Sequence, residues 1–271
     1  MQKEVFFQHL CEELRQNRDL YPYYKLVDGS NSRREFRKAY FLQRLDYLDK
    51  HIDFQKNPKI WDCGCGYGTT GLFLAMNGIT SYGTTLEFYM KQLEKRRQFW
   101  DNFGDTTLFT CEYANVFDQQ VHSEQYDYII LQDTLHHLEP LPEALKIFYN
   151  ALKTGGKLIL LEENGSSWVK KAILFAQRGN KRVISVYDDV LNKEVLMGNE
   201  NIRSEKTWRK AFQQANFKID EDSVQYIRCL APHRFNGHNM LQNIDLEQLY
   251  WQKRKWFCRY AFFGLNMIFT K

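Results

Sequence analysis

The sequence predicts an α/β protein: a parallel sheet with helices on both faces. Two observations carry this. Short apolar runs alternate with helical patterns from about residue 58 to residue 163, and a dense glycine cluster sits where the first run meets the first helix. Parallel strands need long crossover connections, normally helices, so strand–helix alternation implies such a sheet.

Each element follows from its pattern. Residues 1–57 read as helical, with charged and apolar residues mixed at helical spacing in Glu4–Leu14 and Arg33–Leu48. YPYYKLVDGSNS between them reads as a loop. Ile60–Cys63 reads as a buried strand and Thr70–Asn77 as a helix ending at Gly78. Thr80–Leu86 is a second strand, Phe88–Phe103 a basic helix, Thr107–Cys111 a third strand and Tyr126–Gln132 a fourth. Pro142–Leu152 is a helix stopped by Thr154-Gly155-Gly156, and Lys157–Glu162 is a fifth strand. Residues 164–203 read as an inserted helical segment. Ser204–Ala215 is a helix with Ser204 as a candidate cap, and Val224–Cys229 and Phe262–Thr270 are strands. PHRFNGHNM between those strands reads as a loop, and LEQLYWQKRKWF as a helix. The expected organisation is a helical cap over residues 1–57 and one elaborated domain over 58–271, with insertions near 164–203 and 231–258.

Composition narrows the function. The 271 residues are 44% hydrophobic and 26% charged, which suits a folded chain and not a disordered one. The net charge of +4 comes with no basic stripe, so a nucleic-acid partner is not expected. The cysteines at 11, 63, 65, 111, 229 and 258 form neither a disulfide ladder nor a C-x-x-C pair. That pattern predicts a reduced, cytoplasmic chain without zinc. His233 and His238 in PHRFNGHNM have no cysteine or acidic cluster beside them, so no metal site is expected. MQKEVFFQHLCEELRQNRDL lacks the apolar segment of a signal peptide. The most apolar stretch, Tyr260–Phe269, is shorter than the ~20 residues that span a bilayer.

The sharpest feature is Asp62-Cys63-Gly64-Cys65-Gly66-Tyr67-Gly68-Thr69-Thr70-Gly71. Glycines at a strand–helix turn let the chain bend sharply and let a ligand approach the backbone. Two chemistries share this geometry. Gly66-x-Gly68-x-x-Gly71, with Glu87 lying 21 residues past Gly66, matches the dinucleotide fingerprint of a nicotinamide enzyme. The same residues match D-x-G-x-G-x-G. A carboxylate at Asp62 repels a pyrophosphate but suits an ammonium or a ribose. S-adenosylmethionine has an ammonium and no phosphate, so Asp62 favours that cofactor.

Four segments, IWDCGCGYGTTG, SYGTTLE, DYIILQDTLHHLEP and ALKTGGKLILLEENG, together resemble a class I S-adenosylmethionine-dependent methyltransferase of the small-molecule type. The match runs from about residue 58 to 163. TGGKLIL and LHHL separate it from an NAD(P)-dependent oxidoreductase. The resemblance implies a Rossmann-like, mostly parallel seven-stranded sheet ending in an antiparallel hairpin. It places Asp62, Gly64, Gly66 and Gly68 around the methionine and ribose parts of the cofactor. Many members hold the ribose with an acid at the end of the second strand; here that position is Thr85, and Glu87 follows two residues later. Asn115 and Val116 match the adenine-flanking segment, and Gln132 and Asp133 border the methionine end.

Methyl transfer from a sulfonium asks the protein to position and desolvate two reactants, with a base where the acceptor is a hydroxyl or an acidic carbon. His137 and His136, just past the fourth strand, are the candidate bases. Glu162 and Glu163 end the fifth strand. Tyr, Trp and Phe are plentiful in the cap and insertions, which suits a small lipophilic or aromatic acceptor methylated at oxygen or carbon. WQKRKW at 251–256 admits contact with an anionic membrane surface. A macromolecular acceptor, RNA or protein, is the rival; it lacks an appended RNA-binding module and an N-P-P-Y-type sequence after the fourth strand.

Overall fold

The computed structural model describes residues 1–24, 26, 31–86 and 90–271. In chain order it begins with helices α1 (Lys3–Gln16), α2 (Tyr21–Tyr24) and α3 (Asn31–His51), followed by strand β1 (Ile60–Cys63). Next come α4 (Thr69–Ala75), β2 (Ser81–Thr85), α5 (Met90–Trp100), β3 (Phe109–Tyr113), β4 (Tyr126–Gln132), α6 (Leu141–Ala151) and β5 (Leu152–Glu163). The remainder is α7 (Trp168–Arg178), β6 (Val183–Asp188), β7 (Lys193–Gly198), α8 (Glu205–Gln214), β8 (Lys218–Ile227), α9 (Met240–Lys253), α10 (Lys255–Ala261) and β9 (Gly264–Thr270). Seven strands form one sheet in the order β3-β2-β1-β4-β5-β9-β8. The pairs β1–β2, β2–β3 and β4–β5 are parallel, whereas β9 is antiparallel to both β5 and β8. The mostly parallel seven-stranded sheet with its antiparallel hairpin is thus the architecture that the sequence leads one to expect.

Two compact units make up the chain. The first comprises Met1–Tyr113 and Arg228–Lys253. Its helix α1 buries Phe6, Phe7, Leu10 and Leu14 along one stripe. Phe6 stacks on Trp100 of α5 at 4.4 Å between ring centroids. The second comprises Ala114–Ile227 and Arg254–Lys271. There α6 buries Leu141, Ala144, Leu145, Phe148 and Ala151, and Ile129–Leu131 of β4 and Leu158–Leu161 of β5 are fully enclosed. Strands covered on both faces read as unbroken apolar runs, which is why DYIILQ and KLILL are legible.

Four expectations need correction. Residues 164–203 are not a helical insertion: α7 is followed by the antiparallel hairpin β6–β7. Its strand VISVYD is rich in β-branched residues, and Asp188 accepts from the amides of Val190 and Leu191 to close the turn. Strand β8 begins at Lys218, not Val224; the charged run KIDEDS hides it, and its register shifts between Asp220 and Gln225. The helix read over LEQLYWQKRKWF is two helices, α9 and α10, parted at Arg254, where φ is −140° and ψ 56°. Within YPYYKLVDGSNS, Tyr21–Tyr24 form a helical turn.

Candidate active site

In the first unit, β1 carries Asp62 into the interior, where it is 1% exposed. Its Oδ2 has no hydrogen-bond partner among the described residues. Burial pushes its carboxyl up to about 7. A buried carboxylate without a partner is costly, so such an atom points to a ligand that supplies a donor. Beyond Cys63 the amides of Gly64 and Cys65 both donate to the Thr84 carbonyl, at 2.7 and 3.0 Å, which turns the chain back over β2. Gly64, Gly66 and Gly68 all have positive φ, at 78°, 52° and 73°. At Gly68 a Cβ would also lie 2.5 Å from the Phe109 ring, so only glycine fits there.

A buried arginine braces this loop. Arg96 of α5 is fully enclosed and donates from Nε and Nη2 to the two carboxylate oxygens of Glu13, each at 2.8 Å. Its Nη1 donates to the Tyr67 carbonyl at 2.6 Å, to Thr69 Oγ1 at 2.9 Å and to the Tyr24 hydroxyl at 3.2 Å. Trp100 Nε1 donates to Glu13 at 2.8 Å. The rings of Tyr23 and Tyr24 lie 4.8 and 5.9 Å from that of Tyr67. One guanidinium therefore ties the N-terminal helices to the glycine loop. Sequence reasoning missed it, because a lysine- and arginine-rich helix reads as a solvated face. Thr85 is buried at the end of β2, while Glu87 lies outside the described residues. Cys65 Sγ lies 3.2 Å from Cys111 Sγ; that contact and burial raise the Cys65 thiol well above its ordinary range.

In the second unit, Asn115 and Val116 are buried. The Asn115 side chain accepts from the Phe117 amide at 3.2 Å and caps the short turn Val116–Asp118. Gln132 ends β4. Asp133 follows with φ 47°, an uncommon conformation for a non-glycine residue, its amide donating to the Leu161 carbonyl at 2.8 Å.

His136 and His137 form the next turn. His136 is 3% exposed, and its Nδ1 lies 2.6 Å from Glu162 Oε2, while its amide donates to Glu162 Oε1 at 3.2 Å. Burial opposes the charged ring, but Glu162, with Asp133 and Glu200 nearby, outweighs it and pushes the imidazole up to about 9. His137 is more open, and its Nδ1–H donates to the Gly198 carbonyl at 2.9 Å. These bonds fix which nitrogen of each ring faces outward: Nε2 in both. Glu162 thus has a partner, whereas Glu163 pairs with Lys170 at 2.5 Å. Glu200, which approaches both rings, was not legible, because it comes from the hairpin return. His233 and His238 are exposed.

The first unit fits the expected cofactor on its own terms: an enclosed carboxylate oxygen without a partner among the described residues, suited to an ammonium, and a strand–helix loop with three positive-φ glycines. The comparisons agree. A family model described as a methyltransferase domain matches residues 32–222. Phosphoethanolamine N-methyltransferase 1 of Triticum aestivum is 24% identical over 192 residues, 68% of this chain and 34% of that protein. The protein of the same name from Zea mays is 26% identical over 116 residues, 42% and 22% of the two chains. The chain therefore spans about a third or less of the length of these curated relatives. Among solved structures, an S-adenosylmethionine-dependent methyltransferase of Methanosarcina mazei superposes with a TM-score of 0.54 at 17% identity, covering 83% of this chain and 96% of that one. One from Archaeoglobus fulgidus gives 0.52 at 14% identity, covering 92% and 100%. The [4+2]-cyclase SpnF gives 0.51 at 12% identity, covering 79% and 74%, so the fold by itself does not choose the reaction. Matched by the family model over more than half of its length, the chain belongs to the methyltransferase-domain family, in its class I S-adenosylmethionine-dependent form.

Proposed function

We propose that the protein transfers a methyl group from S-adenosylmethionine to a small lipophilic or aromatic acceptor, at oxygen or carbon. The observation that carries the cofactor half is Asp62, whose buried Oδ2 has no partner among the described residues at the mouth of the glycine loop. When bound, the cofactor supplies the electrophilic methyl group on its sulfonium. Asp62 meets the ammonium, and Gly64, Gly66 and Gly68 let the backbone close on the ligand. Either Glu87 or Thr85 takes the ribose, Asn115 and Val116 the adenine, and Gln132 and Asp133 the methionine end. His137 directs its Nε2 at the acceptor's departing proton, and His136, clamped by Glu162, shares the task of orienting the acceptor.

Two observations support the acceptor class. The relatives' name, phosphoethanolamine N-methyltransferase, describes a small acceptor and not a macromolecule. In the second unit α7 and α10 expose Trp168, Phe175 and Trp256, each more than 60% accessible. Trp168 and Trp256 both pack on Tyr260 at 5.4 Å. Such aromatic surface suits a greasy molecule or the membrane that holds it. The test supplies methyl-labelled S-adenosylmethionine with a lipid extract, total RNA and total protein. Label should enter solvent-extractable small molecules, and His137→Ala should slow that by ~10²–10⁴. Label confined to RNA or protein would contradict the reading.

A further inference from the structure

We propose that His136, His137 and Glu200 bind a divalent transition-metal cation of the zinc type. The three residues bring one ligand atom each to within 4.8 Å of one another. His136 Nε2 lies 3.8 Å from Glu200 Oε2, and His137 Nε2 lies 3.9 Å from Glu200 Oε1. These separations are too long for hydrogen bonds. They fall inside the ~4.2 Å that two metal–ligand bonds of ~2.1 Å can span. Both carboxylate–imidazole separations are wider than the ~3.4 Å of an ideal tetrahedral pair, so a bound ion draws Glu200 slightly inward.

The surroundings are those of a ligand set. Ligating histidines donate their other ring N–H to a carboxylate or a carbonyl, which fixes the tautomer. Both rings do so: His136 toward Glu162 and His137 toward the Gly198 carbonyl. Each Nε2 is thereby the nitrogen left for a cation, which at His136 displaces the proton held there at neutral pH. The backbone that carries Glu200 is held in place. It has φ 51°, uncommon for a side chain that is not glycine, asparagine or aspartate. The preceding hairpin is pressed against the histidine turn: a Cβ on Gly198 would lie 1.9 Å from the His136 carbonyl oxygen, and Met197 bridges to Leu138. On the other side Asn201 donates to Glu139 at 2.6 Å, and Arg203 also pairs with Glu139.

Two imidazoles and one carboxylate suit zinc and its transition-metal neighbours, whereas magnesium and calcium favour all-oxygen sites. Three protein ligands leave a position open, and the half-exposed Glu200 side keeps that position accessible. The role of such an ion rests on the proposed methyl transfer: with the ion bound, His137 Nε2 is a ligand and not the base, and an acceptor hydroxyl in the open position loses its proton to solvent water at a lower pH. The binding does not rest on it. The site departs from the sequence expectation of no metal, because Glu200 reaches the histidines only through the β6–β7 hairpin.

The experiment is calorimetric titration of the chelator-stripped full chain with ZnCl2, paired with the visible absorption spectrum of the Co2+-loaded chain. One Zn2+ per chain should bind with micromolar or tighter affinity. Glu200→Gln and His137→Ala should each weaken it at least tenfold, with circular dichroism unchanged, and should alter the Co2+ bands. The double variant His233→Ala/His238→Ala should bind as the parent does. No stoichiometric zinc would overturn the proposal, as would binding that survives Glu200→Gln or is lost in the His233/His238 variant. S-adenosylhomocysteine binding by the same stripped chain separates the two readings: adenosyl binding without zinc removes only the metal, and zinc without adenosyl binding removes only the methyltransferase assignment.

Discussion

Asp62 shows how a single carboxyl sets the chemistry of a loop. Enclosed near the end of β1, its carboxyl is pushed by burial up to about 7, from the ~3.9 of an exposed aspartate. Below pH 7 the free protein holds it protonated, and a neutral carboxyl cannot pair with an ammonium. Binding must then expel the proton, so affinity for S-adenosylhomocysteine should fall as pH drops below 7, approaching tenfold per unit. Asp62→Asn should bind weakly and without that slope; a parent affinity flat from pH 5.5 to 7 would contradict the assignment. Arg96 poses the complementary case, a cation enclosed with its partner. Arg96→Met leaves the buried Glu13 without its cation and with only the Trp100 donor, which should cost ~3–5 kcal/mol in urea unfolding. Adding Glu13→Gln should recover most of that loss, and a single-variant cost under about 1 kcal/mol would show the pair to be dispensable.

At the scale of elements, the central strands were readable because their environment imposes one pattern. DYIILQ and KLILL are apolar on both faces, and DCGCGYGTTG needs glycine where φ is positive and Phe109 leaves no room for a Cβ. The histidine turn was readable because it follows β4 at the carboxyl edge of the sheet. What escaped detection was made by tertiary contact. Nothing local distinguishes Arg96 from its exposed neighbours on α5; its burial depends on Glu13, Tyr24 and Tyr67. Glu200 is one acid among many until β6–β7 folds back against His136 and His137. That hairpin was itself misread, since its strands are largely solvent-exposed and show no clean apolar alternation.

At the scale of the molecule, the sheet and the family are settled, while the acceptor rests on the parts outside the common core. No helix among the described residues is long and apolar enough to cross a membrane. Besides their exposed aromatic side chains, α7 carries the exposed Lys171 and α10 begins with the exposed Arg254 and Lys255, a composition that suits an anionic interface. The chain should therefore sediment with phosphatidylglycerol vesicles and not with phosphatidylcholine vesicles, and Trp256→Ala with Trp168→Ala should abolish this; equal binding by the variant would remove the surface from the account. The central claim is the identity of the cofactor, and calorimetric titration tests it most directly. Titrated separately with S-adenosylmethionine, S-adenosylhomocysteine, NADH and NADPH, the protein should bind the two adenosyl compounds at micromolar concentration and neither nicotinamide nucleotide. Binding of NADH or NADPH alone would mean that Gly66, Gly68 and Gly71 with Glu87 form a dinucleotide site, and would contradict the account.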